Sequence, residues 1–352
     1  MSTPFTIPTV DISALTGAGT DAQRRTCADL LDAACRTVGF IQVVGHGIPD
    51  EVIAGLTGAM DDFFGRPLTE KKRSRRDVDD NRGYSPPRSE SLSLSLGVES
   101  AGLMNDFFEA FNVGEHYSAQ VRAKYPPNTY PENLWPEIPG WRERVETYYD
   151  EARRVAQALC MGFELALGLP TGFFRDRTRE PMSMLRMNNY ALPPGSVRLD
   201  GDLRGMGEHT DFDILTVLWA DRVPGLQVLD GEGRWHDVMP DDGALLVNLG
   251  DTLSRWTNET WLSTLHRVAP PVVDGTIVRR RSAAFFFEGR YDAVIEALPQ
   301  CLAEGESPKY PPITIGEHIA HKLAGSRSGQ KNTVVGGEKD RLLASFGRSG
   351  TR

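Results

Sequence analysis

The residues of this chain best placed to do chemistry begin in GEHTDFDILTVL, residues 207–218, where His209 and Asp211 stand two positions apart against an apolar run. In extended backbone, residues i and i+2 point to one face, so an imidazole and a carboxylate can converge on a point there. Those groups are two-thirds of the 2-His-1-carboxylate face that holds non-heme Fe(II) and leaves positions open for other ligands. A third ligand has to come from elsewhere, and His266 in WLSTLHRVAPP, another β-like segment, is the candidate. A His-x-Asp pair alone fits other readings. A surface turn or a helix cap would account for Asp211, and two His with an Asp also suit zinc and a hydrolase. His46, His116, His236, His318 and His321 lack such company and read as structural or exposed.

A second element is RRRSAAFFF, residues 279–287. Arg280 and Ser282 share a strand face, and a guanidinium beside a hydroxyl is a good receptor for a buried carboxylate. The apolar run behind them implies a strand entering a core. The plain alternative is three arginines alternating along a sheet edge. LRMNNYALPPG (185–195) adds Asn188 and Tyr190, again on one face, which could hydrogen-bond a small acid or simply end a strand before the Pro-Pro turn.

The elements that must position these residues come in two textures. Residues 21–39 carry Leu30, Leu31, Ala34 and Val38 at helical spacing, with Thr20 as cap and Gly39 as stop. FIQVV (40–44) reads as a strand, residues 50–65 as a helix, and 74–100 as loop. Residues 141–169 are the strongest helical stretch, with Val145, Tyr148, Ala152, Val155, Leu159 and Phe163 on one face and Gly168 at the end. Short β-rich segments separated by Gly, Pro and Asp turns follow, which suggests a sandwich or barrel. The Gly-, Ser- and Lys-rich stretch 325–352 reads as a solvated tail with one weak helical patch, DRLLASFG.

Bulk properties narrow the function. The chain has 352 residues, 40% hydrophobic and 25% charged, with a formal net charge of -9. No basic stripe dominates, which argues against nucleic acid as a partner. The mixed-charge run EKKRSRRDVDDNR (70–82) reads as a solvated loop. No secretory signal opens the chain and no apolar stretch is long enough to span a bilayer. Cys27, Cys35, Cys160 and Cys301 are scattered without a CxxC and are expected as free thiols of a cytoplasmic protein.

Taken together, from about residue 5 to about 325, the chain resembles the isopenicillin N synthase-like group of Fe(II)/2-oxoglutarate-dependent oxygenases. The match rests on IPTVDIS…TVGFIQVVGHGIP…FFGRPLTEKK, then HTD…HRV with RRRS after it, and VPGLQVLDGEGRWHDVMPDDGALLVNLGD between. The resemblance implies a mainly β fold with flanking helices, a double-stranded β-helix (jelly roll) core behind a helical N-terminal region. The expected parts are 1–120, the N-terminal helical or mixed region; 121–324, the catalytic core with its supporting helix; and 325–352, the tail. It implies Fe(II) on His209, Asp211 and His266, with O2 and the co-substrate 2-oxoglutarate completing the centre. Arg280 and Ser282 would grip the distal carboxylate of 2-oxoglutarate, with Asn188 and Tyr190 facing it. The implied reaction is hydroxylation, desaturation or cyclisation of a small organic molecule or natural-product intermediate, releasing succinate and CO2. An oxidase of the same fold that uses no 2-oxoglutarate is the alternative, since there the Arg and Ser would hold the substrate's own carboxylate. For the substrate side, Tyr84, Phe107, Phe285 and Phe287 are the expected contacts.

Overall fold

The computed structural model describes residues 5–75, 81–87, 108–191, 205–274 and 276–328. Thr20 opens the helix Asp21–Thr37 through a reciprocal capping box with Gln23, which satisfies donors that a helix start leaves orphaned. A second helix, Asp50–Phe64, buries Leu56, Met60, Phe63 and Phe64. Both pack on the longest one, Trp141–Leu167, whose expected apolar face is buried throughout. That helix stops where Gly168 takes φ 64°, a left-handed conformation that glycine adopts without a Cβ clash.

The described strands, in chain order, are β1 (Thr9–Asp11), β2 (Phe40–Val44), β3 (Gly83–Ser85), β4 (Glu109–Gly114), β5 (Met184–Tyr190), β6 (Met206–His209), β7 (Leu215–Ala220) and β8 (Leu226–Leu229). They continue with β9 (Trp235–Asp237), β10 (Leu245–Leu249), β11 (His266–Val268), β12 (Val272–Val273), β13 (Thr276–Ile277), β14 (Arg280–Phe287), β15 (Val294–Ile295) and β16 (Ile313–Thr314). Eight form one sheet in the order β1-β2-β10-β7-β14-β5-β4-β3, and β6-β11-β8-β9 form a second. β12 with β13 and β15 with β16 make two small two-stranded sheets. The two larger sheets are the walls of a jelly roll, with a cavity of about 420 Å³ between them.

Alternation divides the chemistry from the core. On β14, Arg280, Ser282, Ala284 and Phe286 line the cavity. Ala283, Phe285 and Phe287 point the other way into the main apolar core, where Phe285 meets Tyr149 edge-on at 4.9 Å.

The first 120 residues do more than supply helices. Four of their strands extend the large sheet at both ends. Only β2 stands out in the sequence, because β1 and β3 are three residues long and β4 is buried on both faces, so it shows no two-residue alternation. The charged run 70–82 is also not simply a solvated loop. Lys71 and Arg82 are both buried, and Lys71 Nζ lies 2.7 Å from Glu109 Oε2.

The helix Ile315–Ser328 closes one side of the cavity with Gly316, Ile319, Ala320 and Leu323. It is anchored by Lys322, whose Nζ lies 2.7 Å from Asp251 Oδ2 with both side chains 2% exposed. Asp251 Oδ2 also accepts from Thr210 Oγ1 at 3.0 Å, so the anchor reaches the residue between His209 and Asp211. Removing one member of a buried ion pair strands the other, at a cost of about 3–5 kcal/mol. Lys322→Ala should therefore lower the unfolding free energy by about 3 kcal/mol or more on that basis, read from urea denaturation; an unchanged midpoint would mean that the pair contributes nothing.

His318 on the same helix is held at about 3, first by burial and then by the Lys322 ammonium. Its unfolded counterpart takes a proton near 6.5. The unfolded chain then binds more protons than the native one, so stability is full above about pH 6.5 and falls as pH drops towards about 3. Urea midpoints should fall between about pH 7 and about pH 5 by less in His318→Gln than in the wild type. Equal slopes would contradict a neutral buried His318.

Candidate active site

His209 and His266 are direct cross-strand partners of β6 and β11, with ring centroids 4.2 Å apart. β6 ends at His209, so Asp211 is not carried there by strand alternation, as expected from sequence, but by the turn that leaves the strand. The result is the same convergence. Asp211 Oδ1 stands 3.8 Å from His209 Nε2 and 3.8 Å from His266 Nε2. All three residues are buried and offer donor atoms within 4.8 Å of one another.

Each ligand is oriented from behind. His209 Nδ1 lies 2.8 Å from the Gly207 carbonyl and His266 Nδ1 lies 3.1 Å from that of Thr264. Those carbonyls place the ring proton on Nδ1 and leave Nε2 free as a lone-pair donor. Burial, and next the neighbouring His266, hold His209 down at about 4, so it is neutral as a ligand must be. Asp211 Oδ2 accepts from Asn248 Nδ2 at 2.6 Å and from Thr216 Oγ1 at 2.5 Å. Asn248 and Thr216 are paired across β10 and β7, so two rigid strands hold one carboxylate oxygen and leave Oδ1 to face the imidazoles.

Asp213 shares this shell, with Thr216 Oγ1 2.9 Å from its Oδ2. Burial, followed by the charge of Asp211, keeps Asp213 well above the usual carboxylate range. A neutral Asp213 can spend its proton on the Thr216 oxygen, which leaves the Thr216 proton for Asp211. Gly250 makes room for it, since a Cβ there would sit 2.2 Å from Asp213 Oδ1.

The second group of residues comes together on β14 and β5. β14 and β5 pair with Arg280 opposite Tyr190 and Ser282 opposite Asn188, and all four line the same cavity as the His-Asp-His group. Asn188 Nδ2 lies 3.5 Å from Ser282 Oγ. The Arg280 guanidinium is 2% exposed and sits 5.2 Å over the Tyr190 ring. Its Nε and Nη1 have no hydrogen-bond partner among the described residues. A buried cation with unspent donors requires an anion, and the chemistry of this pocket fits a carboxylate. Arg279 and Arg281 lie on the other side, paired with Asp61 at 2.6 and 2.9 Å.

The expected substrate contacts are not brought together. Tyr84 is a core residue that donates to Glu109 Oε2 at 2.5 Å. Phe285 and Phe287 are core residues by the alternation that turns Arg280 inward, and Phe286 takes the cavity position instead. Phe107 lies outside the described residues. Residues not singled out in the sequence complete the site: Asn248, Thr216 and Asp213 around Asp211, and Arg186, Phe286 and Glu288 along the cavity wall. Strand parity from Arg280 would have found Phe286 and Glu288, and parity from Asn188 would have found Arg186.

Two family models match the chain: the N-terminal part of the non-haem dioxygenases in morphine synthesis over residues 7–138, and the 2OG-Fe(II) oxygenase superfamily over residues 182–289. A 2-oxoglutarate-Fe(II) type oxidoreductase of Emericella nidulans is 34% identical, covering 90% of this chain and 89% of its own length. Clavatol oxidase of Penicillium crustosum is 33% identical over 92% of this chain and 97% of its own. Among solved structures, a 2OG-Fe(II) oxygenase family protein from Caulobacter crescentus superposes with a TM-score of 0.77 at 27% identity, covering 91% of this chain and 99% of that one. The family uses Fe(II), 2-oxoglutarate and O2. With these relatives and this pocket, the chain belongs to the 2OG-Fe(II) oxygenase superfamily, in its isopenicillin N synthase-like group, and is a 2-oxoglutarate-dependent dioxygenase.

Proposed function

We propose that His209, Asp211 and His266 hold the Fe(II), and that Arg280 and Ser282 hold the distal carboxylate of 2-oxoglutarate. One observation supports this above the others: the orphaned Arg280 donors lie in the cavity that also holds the His-Asp-His group. Bound Fe(II), with 2-oxoglutarate and O2, supplies an oxidant that removes hydrogen from a C–H bond of the substrate while succinate and CO2 are released. Around it the protein's groups act by placement. Asn248 and Thr216 fix the Asp211 carboxylate, Arg280 and Ser282 fix one end of the co-substrate, and Asn188 and Tyr190 confine it from β5. The helix Ile315–Ser328 keeps water from that side of the chamber.

The prime substrate is a small organic molecule of natural-product type, hydroxylated, desaturated or cyclised. Relatives named clavatol oxidase and validamycin A dioxygenase support that class. The setting is cytoplasmic, a reading supported by four free cysteines; no helix among the described residues is long and apolar enough to cross a membrane. The Fe(II) protein supplied with 2-oxoglutarate and air should release succinate slowly, and faster with its substrate. Iron-loaded protein that oxidises a small molecule without making succinate would favour the oxidase in which Arg280 and Ser282 hold a substrate carboxylate.

A further inference from the structure

Glu288 follows the last residue of β14 and continues its inward face beyond Arg280, Ser282, Ala284 and Phe286. The two ends of this stripe are about 26 Å apart at the ordinary strand rise, so Glu288 lies far from the Arg280 end. Phe287 pairs with Leu215, and its carbonyl accepts from the Ile214 N–H at 3.1 Å, so Glu288 lies beside the segment that follows Asp211, on the metal's side of the cavity. Its side chain is 7% exposed. Its Oε2 has no hydrogen-bond partner among the described residues. Phe286 and Met184, which line the cavity with Glu288, are apolar, and Thr216 engages Asp213 through Oδ2 alone, so that Asp213 Oδ1 is likewise without a partner among the described residues. A buried acid oxygen without a partner, on a residue that lines a cavity, is costly unless a ligand completes it.

We infer that Glu288 is a specificity-determining residue whose Oε2 accepts a hydrogen bond from an N–H or O–H group of the prime substrate. This rests on the reading of the cavity as an oxygenase chamber. It narrows the substrates to those whose oxidised carbon lies close to an amine, amide or hydroxyl donor. Apolar compounds, and those with only ether or ester oxygens, are disfavoured because they leave the acid unserved. Phe286, one step nearer the Arg280 end on the same strand face, offers an apolar wall for the body of such a molecule.

The test uses matched fragments on the full-length Fe(II) enzyme with 2-oxoglutarate in air: benzamide against N,N-dimethylbenzamide, benzyl alcohol against benzyl methyl ether, and thymine against 1,3-dimethylthymine. The measured quantity is succinate release relative to each protein's own fragment-free rate. At least one donor-bearing fragment should stimulate release, with its capped partner about tenfold less effective, the usual effect of one lost hydrogen bond to an acid. Glu288→Met should abolish that preference, and Glu288→Gln, which keeps an acceptor oxygen, should retain part of it. Capped fragments that work as well as the donors, no stimulation by any fragment, or an undiminished preference in Glu288→Met would each overturn the assignment. If Glu288→Met does not fold, the wild-type pairs and Glu288→Gln still decide. Wild-type protein that makes no succinate even without fragments would instead count against the oxygenase reading itself.

Discussion

Asp211→Ala should strip most of the iron from the purified protein and take turnover with it, while the fold persists. Asp211 supplies the one anionic donor of the cluster and lies in a turn after β6 rather than in a strand, so its loss removes charge without breaking a sheet ladder. Changes to residues that merely orient a ligand typically cost about 10–100-fold in metal affinity. Asn248→Ala, which removes one donor to Asp211 Oδ2, should fall in that range, and Asp211→Ala should exceed about a hundredfold. Circular dichroism and metal analysis of the two variants check this together. Equal iron content in Asp211→Ala and wild type would remove Asp211 from the ligand set.

Arg280→Ala should weaken 2-oxoglutarate binding by at least about a hundredfold, since truncating one partner of a buried charge pair costs about 2–5 kcal/mol. Arg279→Ala should change it little. Arg279 pairs with Asp61 at a side chain 40% exposed, and exposed ion pairs contribute at most about 1 kcal/mol. The contrast between neighbouring residues is a test of strand parity as much as of charge. Calorimetric titrations in which Arg279→Ala is the damaging change would place the wrong face of β14 towards the cavity.

Much of the site was legible because its residues obey short-range rules. Arg280 with Ser282 and Asn188 with Tyr190 needed only the two-residue period of a strand, and the structure adds that the two pairs face each other across β14 and β5. The helices Asp21–Thr37 and Trp141–Leu167 were legible from a cap, a period and a terminal glycine. What was not legible depends on long-range pairing. That Asn248 and Thr216 meet at Asp211 follows from β10 lying beside β7, which no local pattern encodes. The edge strands from the first 120 residues are too short or too evenly buried to show alternation. Phe286, and not Phe285 or Phe287, faces the cavity, and the parity that turns Arg280 inward already dictates this.

The most direct test of the central claim, that one cavity holds both the metal on His209, Asp211 and His266 and the co-substrate on Arg280 and Ser282, is an anaerobic titration of the Fe(II) protein with 2-oxoglutarate followed by visible absorption. Chelation of iron by the ketone and near carboxylate gives a weak charge-transfer band. Wild-type protein should develop that band saturably, Arg280→Ala should need about a hundredfold more co-substrate to reach it, and Asp211→Ala should not develop it. Iron-loaded, folded wild-type protein that shows no band at millimolar 2-oxoglutarate, or an Arg280→Ala variant that saturates at the wild-type concentration, would contradict the account.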